Sequence, residues 1–209
     1  MPEQINLIDL FTTASKALGQ HREELNQADK GNKNHGDNMV QVMEVITQAM
    51  KEKKNSDAPA QLEYAAQLLR QKTNSGSASL LSDGLAKAAE QVTGKKIDIG
   101  AALGLLQTVM NGGKGQPSSS GTSDLLGSLL TGLTGGDSRK ADDGMDMGDM
   151  LNIGLGLLQT AKDSGIDLGG LSRSLVANTE MGKSEHRSQS GEIITNAVLQ
   201  MVMENLKKK

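Results

Sequence analysis

The chain has no cysteine and no tryptophan, and Phe11 and Tyr64 are its only phenyl-ring residues among 209. Without cysteine there are no disulfides, no thiolate metal sites and no cysteine nucleophile. With so few aromatics there is almost nothing for nucleobases to stack on, and a net charge of -3 with an isoelectric point near 5.7 supplies no basic field, which sets nucleic acid aside. No window approaches the roughly 20 consecutive apolar residues of a membrane span, and the start of the chain, with Glu3, Asn6 and Asp9, lacks the basic and apolar segments of a signal peptide. A cytoplasmic protein without membrane contact is expected. Alternating β-branched strands bounded by tight turns are also missing, so the expected fold is all-α.

What is present is helical spacing. One apolar stripe runs through Leu7, Leu10, Phe11, Ala14, Ala17 and Leu18, and a second through Met39, Val42, Met43, Ile46, Ala49 and Met50. A third helix is expected from near Pro59, a residue suited to a first turn, to about Arg70. A fourth covers about Ser77 to Val92, closed by Thr93-Gly94. Asp98 is the expected N-cap of a fifth, Ile99 to Met110, which Asn111-Gly112-Gly113 stops. Further helices are expected over Ser123 to Leu133, Met147 to Asp163, Leu168 to Asn178 and Gly191 to Leu206, with a flexible polar loop over about 134–146. The length suits a single domain over 1–209. The 25 glycines include Gly84, Gly104, Gly154 and Gly156 inside helical patterns, each costing about 0.5–1 kcal/mol relative to alanine, and close helix contact is the usual compensation. The hexapeptide Leu-Gly-Leu-Leu-Gln-Thr occurs at 103–108 and again at 155–160, too few copies for a repeat array. Eleven methionines and the lack of rings mean a core of Leu, Ile, Val, Ala and Met.

The stretch Asn32-Lys33-Asn34-His35-Gly36-Asp37-Asn38-Met39 reads as a polar loop opening onto the run Val40 to Met50. It has the look of a metal and phosphate loop whose carboxylates have become amides. Neutral amide oxygens attract a hard divalent ion far less than carboxylates do. Four more segments follow in order: Asn74 to Leu81, Ile97 to Gly100, Gly113 to Pro117, and Gly182-Lys183-Ser184. Together these segments resemble the DhaL-type nucleotide-binding subunit of dihydroxyacetone kinases along nearly the whole chain.

The resemblance implies an antiparallel barrel of about eight helices, with loops at one end that hold ADP or ATP and two magnesium ions. Carried over residue by residue, the family's metal loop matches His35, Gly36, Asn38 and Met39, while its three metal aspartates fall on Gln27, Asn32 and Asn34. The phosphate loop falls on Gly76, Ser77, Ala78 and Leu80, where Ser77 and Leu80 match, Gly76 is displaced by one place, and Ser82 replaces a glycine. Lys183 stands for a family arginine, His186-Arg187-Ser188 echoes the family's Arg-Ser, so that Lys183 and Arg187 are candidates to meet a phosphate or an acidic partner, and the Asp-Pro pair of the adenine loop is missing. Each of these residues also has an ordinary role: Asn and Gly form turns, Ser caps helices, and cations on loops are commonly solvated.

Two functions follow from the resemblance. The first is a degenerate DhaL-like domain, a non-catalytic module that binds a protein partner, for example a substrate subunit of the same kinase type, and needs no cofactor. The second is an active ADP/ATP-binding subunit of a dihydroxyacetone (glycerone) kinase, using magnesium and working with a separate substrate-binding subunit. Loss of three metal carboxylates favours the first, because phosphoryl transfer depends on charge compensation at the phosphates.

Overall fold

A computed structural model describes residues 5–114 and 168–207, which pack as one unit. Among the described residues the protein is all-helical, with eight α-helices and no strand. These are α1 (Leu7–Gln20), α2 (Arg22–Ala28), α3 (His35–Glu52), α4 (Ala58–Lys72), α5 (Gly76–Val92), α6 (Ile99–Met110), α7 (Leu168–Ala177) and α8 (Glu185–Lys207), with a short 3-10 turn at Met181–Lys183. The helices expected at 123–133 and 147–163, the polar loop at 134–146, the second hexapeptide copy and Gln116-Pro117 lie outside the described residues.

Local chemistry sets most boundaries. Asn6 accepts from the Ile8 N–H at 2.8 Å, Asp57 from Ala60 at 3.1 Å, Ser75 from Ala78 at 3.1 Å and Asp98 from Ala101 at 2.8 Å, so four helices begin on side-chain caps. Gly94, Gly112 and Gly113 follow α5 and α6 with φ of 72°, 61° and 66°, the left-handed backbone that glycine adopts without strain. The expected stripes are buried: Leu7, Leu10, Phe11, Ala14 and Leu18 in α1, and Met39, Val42, Met43, Ile46, Ala49 and Met50 in α3. Phe11, Met39, Met43, Met50, Leu62 and Leu85 are among the largest side chains fully removed from solvent. Each contributes roughly 1.5–3 kcal/mol of transfer free energy.

Three expectations need correction. Helix α2 was not anticipated, because only Leu25 of its seven residues is buried and no stripe reveals it. The second helix begins at His35 rather than Met39, so half of the supposed loop is the first turn of α3. Gly36 reads as a loop residue, yet it permits contact between helices: a Cβ there would stand 2.9 Å from the Arg22 carbonyl carbon. The last helix begins at Glu185, six residues before Gly191, whose absent side chain makes room for Val176, with Cγ1 2.9 Å from the Cβ position.

Helix α3 packs on α1, α2 and α4, helix α5 on α4 and α6, and helix α8 on α1 and α7. Gly84 lies where α5 meets α6, and a Cβ on it would reach 2.5 Å from the Val109 Cα, which accounts for its place mid-helix. Gly104 differs: among the described residues a Cβ there would meet nothing within 4 Å, so no close contact among them offsets its cost. No described helix is long and apolar enough to cross a membrane.

Candidate functional site

Two of the residues singled out by sequence, His35 and Gly76, lie against the first turn of α8. His35 opens α3 and is only 4% exposed; its Nε2 lies 3.1 Å from Ser190 Oγ, and its ring meets His186 edge-on at 4.6 Å. Lys30, in the loop before α3, pairs with Glu185 at 2.9 Å. The Arg187 guanidinium comes within 3.0 Å of where a Cβ would stand on Gly76, the first residue of α5. Residues more than a hundred positions apart therefore join the starts of α3, α5 and α8 at one corner. The turn after α6 joins them as well, since Asn111 Oδ1 accepts from the Glu180 N–H at 3.2 Å.

The electrostatics of this corner are unusual for a metal site. Burial pushes the His35 imidazole down to about 4, reinforced by the neighbouring His186, so it is neutral at pH 7. Asp29 is the buried carboxylate of the loop, and the Gly31 N–H that it accepts at 3.0 Å holds it below the usual carboxylate range. Glu180 is likewise held low by its bond from Lys183. Lys33 is the single non-glycine residue with positive φ among the described residues, at 56°, so the 29–34 loop carries some backbone strain.

The three positions where the resemblance puts magnesium aspartates do not make a metal set. Gln27 and Asn32 are exposed and bond to no described side chain. Asn34 Oδ1 accepts from Asn38 Nδ2 at 2.9 Å and, as a neutral amide oxygen, offers a hard cation little attraction. Asp37, the remaining nearby acid, faces α2, where it takes Asn26 Nδ2 at 3.1 Å and lies 3.5 Å from Arg22. Among the described residues no group of three His, Asp or Glu side chains is arranged to hold an ion. The donors present do not fit a magnesium pair.

The remaining candidates divide. Met39 and Ala78 are buried in the core, Leu80 packs against Gly112, and Gly76 is exposed at the helix start. Ser77 is 6% exposed, while Ser75, not Ser77, supplies the cap of α5. Lys183 is exposed and engages Glu180. The segment Ile97 to Gly100 sits at the other end of α6, about 18 Å from Asn111 by the rise of twelve helical residues. Sequence reasoning read His186 only within the His186-Arg187-Ser188 echo and did not pick out Ser190; the available signal was the dense polar run Ser184 to Ser190, which falls where a loop was expected and from Glu185 on forms the first turns of α8.

No protein-family model, no curated protein and no solved structure matches this chain.

Proposed function

We propose that the chain is a degenerate DhaL-type domain, a non-catalytic cytoplasmic module whose role is to bind a protein partner. The order of helix neighbours supports the barrel part of this reading: α6, α5, α4, α3, α1 and α8 pack in succession, and α6 returns to touch α7 and α8. The observation that carries the functional part is the chemistry of the 27–34 region. Gln27, Asn32 and Asn34 are neutral where a magnesium-dependent enzyme of this type needs carboxylates, and the one buried acid, Asp29, accepts from Gly31 within its own turn. A DhaK-like substrate subunit is one partner of the expected kind.

Calorimetric titration with ADP, with magnesium and with chelator, tests the reading. The expected result is no magnesium-dependent binding tighter than about 100 μM, or roughly 5.5 kcal/mol. Tighter binding that requires magnesium would instead support an active ADP/ATP-binding kinase subunit.

A further inference from the structure

The flank formed by α1 and α3 carries a groove of about 520 Å³. On α3 it begins at Glu44, about 14 Å along the helix axis from His35, so it lies apart from the corner at the start of α8. Three short side chains, Thr12 and Ser15 of α1 and Thr47 of α3, lie between the walls, and the long side chains of Glu44, Gln48 and Lys51 stand along the α3 rim. Helix α3 shows solvent only a narrow stripe here: Gln41, Glu44, Gln48 and Lys51 are exposed, and every residue between them is buried.

The charges of this stripe are not satisfied within one copy. Neither Glu44 nor Lys51 has a counter-ion among the described residues, and Lys16 on the α1 wall has none either. Glu44 and Lys51 are two turns apart on one helix, about 10 Å, which is beyond the reach of the three- and four-residue pairs that helices form. Glu52, the other acid of the groove, is engaged by the Tyr64 hydroxyl at 2.6 Å and by Gln48 Nε2 at 2.8 Å.

The stripe is its own complement. Glu44 and Lys51 stand equally far to either side of the point between Thr47 and Gln48, so a two-fold axis crossing α3 there sets Glu44 of one copy opposite Lys51 of the other, twice. The short side chains of the groove leave room for a second helix to approach. We propose that this groove is a self-association face, in which α3 of a second copy packs antiparallel over α1 and α3 and two symmetric pairs of Glu44 with Lys51 fix the register. Exposed pairs of this kind add little affinity, whereas like charges in the same places oppose association strongly, so charge here chiefly selects the partner and its orientation. The inference goes beyond the reading of the 27–34 region and does not depend on it.

Sedimentation equilibrium of the full-length protein at low salt, from about 5 μM to about 1 mM, is the test. The expected result is a reversible monomer to dimer equilibrium with a dissociation constant of about 100 μM, weakened by added salt. Glu44→Lys sets lysine against lysine at both contacts and Lys51→Glu sets acid against acid, so each alone is expected to weaken association at least tenfold. An equimolar mixture of these two variants brings opposite charges together at both contacts and is expected to dimerise as the native protein does. The double variant Glu44→Lys, Lys51→Glu is expected to do the same. Both positions are exposed, so circular dichroism should show native helix content in every variant. Lys95→Glu, in the link after α5 and outside the groove, is expected to leave association unchanged. A native protein that stays monomeric at about 1 mM would overturn the proposal. Single reversals that associate like the native protein, or a mixture of the two that stays monomeric, would overturn it equally.

Discussion

Acidification should unfold this protein through one residue, His35, before its carboxylates matter. The imidazole is buried among His186, Asp29, Arg187 and Ser190, and takes up a proton only near pH 4, against about 6.5 in an unfolded chain. Above pH 6.5 both states are neutral and the residue contributes no pH dependence. Between 6.5 and 4 the unfolded chain binds the proton and the folded one does not, so stability is lost as pH falls through this window. At about pH 4.5 the linkage amounts to about 2.5 kcal/mol, worth roughly 5–10 °C in Tm for a chain of this size. Asp29 acts lower down, because its depressed value makes its contribution disappear only as pH falls through the carboxylate range and below. Urea unfolding followed by circular dichroism at pH 7 and about 4.5, on the native protein and on His35→Gln, measures the effect. The glutamine variant retains a donor for Ser190 but does not titrate, so it should lose about 2.5 kcal/mol less over the same interval. Equal losses in the two proteins would refute the reasoning, as would a His35 resonance that titrates near 6.5.

Three further substitutions test the fold. Gly84→Ala places a methyl against the Val109 backbone of α6 and is expected to cost more than about 2 kcal/mol; a urea midpoint within error of the native one would show that α5 and α6 can part freely. Gly104→Ala meets open space and should stabilise by about 0.5–1 kcal/mol, so a fall in Tm would contradict the account of that helix. Asp98→Ala removes the cap on Ala101 and should cost about 1 kcal/mol, recovered largely by Asp98→Ser.

The helices that sequence reading located correctly are those with a complete stripe and a recognisable end. In α1, and in α3 from Met39 onward, the buried positions recur at three and four residues, and Asp98 with Asn111-Gly112-Gly113 brackets α6. The errors came from glycine and from shortness. Gly36 and Gly191 look like breaks in the pattern, yet both lie within helices where a neighbour needs the space, and nothing local distinguishes that use from a turn. Helix α2 buries one residue and so has no period to detect. At the candidate site, His35 was legible as part of a motif, whereas its contacts with His186 and Ser190 were not, because 155 residues separate the hydrogen-bonded pair and no spacing rule connects them. The buried unpaired Nε of Arg187 was equally hidden, since a cation in a polar run reads as solvated until its surroundings are known.

The proposed function holds that Gln27, Asn32 and Asn34 stand where a DhaL-type scaffold carries its metal ligands, and that the chain has lost magnesium binding there. Calorimetry with ADP, in magnesium and in EDTA, on the native protein beside the triple variant Gln27→Asp, Asn32→Asp, Asn34→Asp tests it most directly. The account expects the native protein to respond identically in the two buffers and the triple variant to gain magnesium-dependent binding. A native protein that already binds ADP more tightly than about 100 μM only when magnesium is present would contradict it.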